Sequence, residues 1–258
     1  MKQKTLGFIG GGRIVRIFIE GWRRAGKMPP KITVFDCNPD TLAKLKSQFP
    51  AVETVNDKAL AAAQDIVFLA VHPPVMAETA SALRGTLKTS SVVISLAPKF
   101  TIAKLSELLG GFSSVARVIP NAPSICNLGY NPVAFSPGLS PSDKQSVLAL
   151  LEPLGECPEV LEEKLEGYAV LSAMGPTYLW FQVQALREVA AGFGLTPEEI
   201  NPALKRMVCG GTRTLLESGL TPAEVMDLIP VKPLAEMESQ VDQLYRTRLP
   251  ALYQKIKP

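Results

Sequence analysis

Between Thr5 and Val15 the chain reads as a strand that runs straight into a glycine loop and then a helix: Thr5 to Ile9 is mostly apolar, Gly10-Gly11-Gly12 follows, and Arg13-Ile14-Val15 opens an amphipathic stretch. In Gly10-x-Gly12-x-x-Val15 the first glycine permits a tight turn and the second lets another molecule come close to the backbone, with Val15 where a third small residue usually stands. A helix beginning there presents unpaired N–H groups and the positive end of its dipole, which suits a diphosphate. The segment therefore predicts a strand buried in a parallel sheet, with a dinucleotide across its C-terminal edge.

The rest of the first half supports that reading. Short β-branched runs at Thr5 to Ile9, Ile32 to Phe35, Ile66 to Val71, Val92 to Leu96 and Val115 to Val118, with a weaker one at Pro132 to Phe135, alternate with amphipathic stretches. Ile14, Phe18 and Trp22 recur at helical spacing. Asn38-Pro39 opens a further helix, and Ile66 to Val71 is apolar throughout, as a strand covered on both faces must be. After about Leu161 the pattern turns helical, and Thr196-Pro197-Glu198-Glu199 and Thr221-Pro222-Ala223-Glu224 read as capped helix starts. The long helix near Tyr178 is apolar along Leu179, Val183, Leu186 and Ala190 and again along Phe181 and Ala185, so it is expected to be buried, against a second chain. The predicted fold class is α/β: an N-terminal Rossmann-type doubly wound parallel sheet over residues 1–160, and a C-terminal all-α dimerisation and substrate domain over 161–258.

Composition narrows the chemistry. A formal charge of +3 over 258 residues argues against a nucleic-acid or anionic-membrane partner, and the basic residues Arg13, Arg16, Arg23, Arg24 and Lys27 follow helical spacing as a solvated face would. No apolar run reaches the ~20 residues of a membrane span, and Met1 to Thr5 does not resemble a secretory signal, so the expected location is the cytoplasm. Four dispersed cysteines and a single histidine, His72, leave no disulfide framework and no metal site to expect. Any mechanism built on a histidine would have to use His72.

The expected cofactor-binding residues are Gly10, Gly12, Arg13 and Ile14 of the loop, Asp36, and Ala70, Val71 and His72. Arg13 either pairs with the diphosphate or is surface charge. Asp36 closes the second strand, where an acid accepts from adenosine ribose hydroxyls; a helix cap is the other reading. An acid there repels a 2′-phosphate, and Cys37 beside it offers no cation, so NADH is favoured over NADPH, with NAD or NADP as the cofactor class. His72 follows a strand at the ligand-binding edge, as a donor to nicotinamide ribose or substrate, or as an exposed loop residue.

Several longer segments resemble one family. Arg117-Val118-Ile119-Pro120-Asn121-Ala122-Pro123 is similar to the RxMPNTP segment of pyrroline-5-carboxylate reductases, and Leu171-Ser172-Ala173-Met174-Gly175-Pro176-Thr177-Tyr178 to their LSGSGPAY. Leu69 to Pro73 resembles LAVKP, Thr101 to Leu105 resembles TIxxL, and Leu215 to Gly219 with Pro222-Ala223-Glu224 resembles LLLESG…PAEL. The resemblance implies reduction of the C=N bond of 1-pyrroline-5-carboxylate by NADPH or NADH. It also implies a homodimer through interlocking C-terminal helices, and a small acidic substrate held beside the nicotinamide largely by backbone N–H groups. Asn121 then joins the cofactor site or caps a turn, while Ser172, Thr177 and Tyr178 offer hydroxyls to the substrate or serve the helix start.

The sequence departs from the family at Arg13-Ile14, His72 and Ala173-Met174, and most at the SPGGTT substrate loop, replaced by Ile229-Pro230-Val231-Lys232-Pro233-Leu234-Ala235. Two prolines there remove N–H donors, and Lys232 is either a substitute cation for an acidic substrate or a solvated turn residue. Weak turnover of pyrroline-5-carboxylate is the expectation. The alternatives are a dinucleotide-binding sensor or partner protein without turnover, or another oxidoreductase on this scaffold. A 3-hydroxyisobutyrate-type dehydrogenase would need a lysine where Leu179 stands.

Overall fold

The structure, a computed structural model, describes residues 4–258. Six strands, β1 (Leu6–Ile9), β2 (Ile32–Phe35), β3 (Glu53–Val55), β4 (Ile66–Leu69), β5 (Val92–Ser95) and β6 (Val115–Val118), are mutually parallel. They are joined in turn by α1 (Arg13–Arg24), α2 (Pro39–Gln48), α3 (Lys58–Ala62), α4 (Pro73–Ser81) and α5 (Ile102–Leu108). A 3₁₀ turn, Ala122–Cys126, leads to β7 (Gly129–Tyr130) and β8 (Val133–Phe135), then to α6 (Pro141–Leu151), β9 (Gly155–Glu156) and α7 (Leu165–Tyr168). The main sheet runs β3-β2-β1-β4-β5-β6-β8, with β8 antiparallel to β6. Chain order reverses at β1, which lies between β2 and β4, so the ligand crevice of such a doubly wound sheet opens there.

All six of the expected strands form, with boundaries within a residue or two. The unexpected ones, β3, β7 and β9, are two or three residues long, too short for periodicity to register. In α1 the buried face is Val15, Phe18, Ile19 and Trp22, while Ile14 is only half-buried. Phe8 stacks on Phe68 at 4.6 Å between ring centroids, and Phe18 meets both Phe68 and Trp22 at 5.9 and 5.6 Å. Each such burial contributes about 1.5–3 kcal/mol. Trp22 Nε1 donates to Leu150 O at 2.8 Å, which ties α1 to α6. At the sheet's other edge Asp65 accepts from the Thr5 N–H and hydroxyl and pairs with Lys88; together these outweigh the opposing effect of burial and hold its carboxyl below the usual range.

The chain divides into two compact units, residues 1–174 with 252–258, and residues 175–251. The division falls later than the change of pattern near residue 160 because Leu165, Glu166 and Ala169 are buried in the first unit. Glu166 is also ion-paired to Arg117 of β6. The second unit holds α8 (Pro176–Gly192), α9 (Pro197–Glu217), α10 (Pro222–Asp227) and most of α11 (Ala235–Ile256). Thr196 and Thr221 form the expected reciprocal caps with Glu199 and Glu224, each behind a proline at the first helical position. None of the residues of α8 is buried within this chain: Leu179, Trp180 and Phe181 are 47–67% exposed, and Leu216, Ile229, Val231 and Leu234 lie open as well.

Candidate active site

Backbone contacts build the glycine loop. Gly10 sits at φ +104°, and a β-carbon there would fall 2.5 Å from Ala70 O, so only glycine fits between β1 and the end of β4. Gly11 donates its N–H to Asp36 Oδ2 at 2.7 Å, and the other carboxylate oxygen accepts from Asn38 N–H at 2.8 Å. Asp36 thus fixes the loop and the start of α2 together. Each of its oxygens keeps lone-pair capacity for a further donor. Gly12 caps α1, and a β-carbon built on it meets nothing within 4 Å. Open space in front of the first N–H groups of a helix with no acid in its first turn fits a diphosphate. Arg13, exposed on the first residue of α1, has no ion-pair partner among the described residues. Arg23 and Arg24, further along the same helix, are both held by Glu20, whose carboxyl they bring down to about 2.

Ala70 and Val71 press on the glycine loop from the end of β4, with Ala70 N–H bonded to Ile9 O at 2.8 Å. His72 follows as the exposed cap residue of α4, without a side-chain capping bond. Beyond β6, Asn121 is buried and held by three bonds: its N–H donates to Asn131 Oδ1, its Oδ1 accepts from Tyr130 N–H, and its Nδ2 donates to Ser172 O at 3.3 Å. The Ser172 hydroxyl donates to Tyr168 O at 2.9 Å, inside a π-helical turn, Ala169–Ala173, of the sort that often marks functional sites. Tyr130 and Tyr168 pack 5.9 Å apart; desolvation, then the Tyr168 phenol, push the Tyr130 hydroxyl up, so it stays protonated at neutral pH. Burial pushes the Cys157 thiol up to about 12, which leaves it no thiolate chemistry.

A buried ionic network holds the turn after β5. Arg117, fully buried in mid-strand, bonds Glu166 through Nη2 and Glu162 through Nη1, the latter at 2.9 Å. Glu166 also accepts the Lys99 N–H, and Glu162 accepts the Ile102 N–H at 2.6 Å. Lys99 lies at φ +78°, a left-handed conformation that costs a non-glycine residue about 1–3 kcal/mol.

Gly10, Gly12, Arg13, Ile14, Asp36, Ala70, Val71 and His72 therefore gather at the C-terminal edge of β1, β2 and β4, and Asn121 joins Ser172 beyond β6. Thr177, in the first turn of α8, and the exposed Lys232 belong to the second unit. Sequence reading missed the Arg117–Glu162–Glu166 network and Lys99. The available signal was an arginine inside an apolar strand, which demands a buried acid, although nothing in the sequence says which one. Cavities of about 510 and 600 Å³ lie elsewhere, one lined by α5 and β8 and the other at the starts of β1 and β4. Among the described residues no group of His, Cys, Asp and Glu is arranged to hold a metal, and no helix is long and apolar enough to cross a membrane.

Residues 5–99 match the profile of a family described as NADP oxidoreductase coenzyme F420-dependent. The pyrroline-5-carboxylate reductase of Escherichia coli K12 is 27% identical over 228 residues, 88% of this chain and 85% of that protein. That of Methanosarcina acetivorans is 24% identical over 230 residues, 89% of this chain and 85% of its own. Among solved structures, the Coxiella burnetii pyrroline-5-carboxylate reductase superposes with a TM-score of 0.70 at 27% identity, covering 99% of this chain and 95% of that one. The Plasmodium falciparum pyrroline carboxylate reductase with NADP bound shares the fold, with a TM-score of 0.76 at 19% identity over 99% of this chain and 95% of that one. The likeness runs through the glycine loop, the sheet and the helices of the second unit alike: over most of its length the chain is similar to the pyrroline-5-carboxylate reductases.

Proposed function

We propose that this protein is an NAD(P)H-dependent oxidoreductase that reduces the C=N bond of a cyclic imine bearing a carboxylate, 1-pyrroline-5-carboxylate or a close relative. The observation that carries the reading is that similarity to the reductases extends over 88% of the chain, past the nucleotide-binding half and into the helical unit. Gly10, Gly12, Arg13 and Ile14 receive the diphosphate, the open face of Gly12 giving it room. Asp36 receives the adenosine ribose, and Ala70, Val71, His72 and Asn121 flank the nicotinamide half. When bound, the reduced nicotinamide supplies a hydride to the imine carbon; the C=N π pair passes to nitrogen, which holds a proton taken from solvent. No histidine triad is needed, since the imine brings its own basic nitrogen. Ser172, Thr177 and Lys232 serve the substrate, Lys232 as a cation for its carboxylate.

The reading includes NADH as the preferred cofactor, because the Asp36 carboxylate repels a 2′-phosphate and Cys37 supplies no counter-charge. It also includes a homodimer, whose second copy covers the apolar side chains that the helical unit leaves exposed. The test is oxidation of NADH by the purified protein with 1-pyrroline-5-carboxylate, assayed beside the Escherichia coli enzyme. Imine-dependent oxidation is expected, slower than the control because Pro230 and Pro233 remove N–H donors from the Ile229–Ala235 segment, and lowered further by Lys232→Ala. Tight NADH binding with no imine-dependent oxidation would overturn the reading in favour of a dinucleotide sensor.

A further inference from the structure

We propose that Lys99 is a specificity-determining residue that binds the substrate carboxylate from the turn after β5, an assignment that rests on the reductase reading above. With the glycine loop and Asp36 placing adenosine over β1 and β2, the other half of the dinucleotide lies over β4, β5 and β6, across the switch point of the sheet. Three turns leave those strands on that side: Ala70 to His72, Leu96 to Phe100, and Ile119 to Asn121. Lys99 is the one residue in them with a permanent formal charge. It is exposed, and its ammonium has no ion-pair partner among the described residues.

The backbone under Lys99 is built for its position. A φ of +78° is one that lysine rarely adopts, and it is held by a bond from its N–H to Glu166 Oε1 at 3.2 Å. Glu166 is 1% exposed and anchored by Arg117, itself fully buried in β6. Glu162, on the same arginine, fixes Ile102 N–H at the far end of the turn. A strained, non-glycine residue clamped from below by a buried ion pair, with a free cation at its tip, is poorly explained as a solvated loop lysine. Strain of this sort persists where the surrounding structure enforces it, and it concentrates at ligand sites. A lone ammonium is a point charge suited to a carboxylate whose position other groups fix.

Glycine is the variant that separates charge from fold, because it adopts φ +78° without strain. Lys99→Gly is expected to melt no lower than the native chain. Its KM for 1-pyrroline-5-carboxylate should rise about tenfold, as expected for loss of one charge-assisted hydrogen bond. The KM for NADH, and that for 1-pyrroline, which lacks the carboxylate, should stay unchanged, and Lys99→Arg should recover most of the loss. An equal rise for both imines, a rise in the KM for NADH, or no change at all in an active enzyme overturns the assignment and leaves the reductase reading standing. A native protein that reduces neither imine removes both.

Discussion

A β-carbon at Gly10 would meet Ala70 O at 2.5 Å on a backbone already at φ +104°, whereas at Gly12 it would meet nothing within 4 Å. The two glycines of one motif therefore differ: the fold demands the first, and leaves room for a side chain at the second. Gly10→Ala is expected to lower stability by about 1–3 kcal/mol, through strain and a backbone clash. Gly12→Ala should melt like the native chain and bind NADH at least roughly tenfold more weakly, since its methyl group occupies the space left for the diphosphate. Melting curves read beside calorimetric titrations decide both; a Gly12→Ala chain with native affinity would refute the diphosphate placement. Asp36 governs a second comparison. NADH should bind roughly tenfold or more tightly than NADPH, because the 2′-phosphate brings a second anion against a carboxylate already fixed by Gly11 and Asn38. Asp36→Ala should narrow that ratio while weakening both, as the loop loses its anchor. Equal affinities in the native protein would remove Asp36 as the discriminating residue.

At the scale of elements, the Arg117 network joins β6, the turn after β5 and α7 through two carboxylates and two backbone N–H groups. A buried ion pair adds little over a well-packed apolar pair, but removing one partner strands a charge. Arg117→Met should therefore cost about 3–5 kcal/mol in chemical denaturation, chiefly because Glu166 is left buried and unpaired. Replacing Glu166 by Leu in the same chain should return a large part of that loss, while Glu162, with 30% of its side chain exposed, keeps access to water. A double variant no more stable than Arg117→Met alone would show that the network acts through packing rather than charge. The helices α9 and α10 follow simpler rules, each started by a threonine, a proline and a glutamate that bonds back to the threonine N–H at 2.9 and 2.8 Å.

For the whole molecule, the decisive feature is how differently its two units treat apolar side chains. The first unit buries a continuous core from Leu6 to Leu154, while the second, residues 175–251, leaves most of its large apolar side chains open. Phe193, just after α8, is 77% exposed and Leu216 of α9 75%. Large exposed apolar patches mark interaction surfaces, and a second copy of the chain is the expected cover. Sedimentation at micromolar concentration is expected to give twice the chain mass of 27.8 kDa. Aspartate at Phe193 and Leu216 should shift the species towards the single-chain mass. A native chain that sediments as a monomer would refute the dimer.

The sequence by itself determined the strand–glycine–helix start, the parallel strands, and the Asn38, Thr196 and Thr221 caps. Each of these is local: alternation, a capping side chain or a glycine at a fixed spacing is legible over a few residues, because the physical cause lies within those residues. Tertiary structure decided the rest. That Arg117 meets Glu162 and Glu166, 45 and 49 residues away, depends on where α7 comes to lie against β6, and no spacing rule encodes it. That Asn121 is spent on Tyr130, Asn131 and Ser172 follows from the return of the chain through β7, a strand too short to be seen in advance. Lys99 looked like any surface lysine. Only the left-handed turn imposed on it by a buried carboxylate from a distant helix sets it apart, because backbone strain is a property of the assembled contacts and leaves no mark in composition.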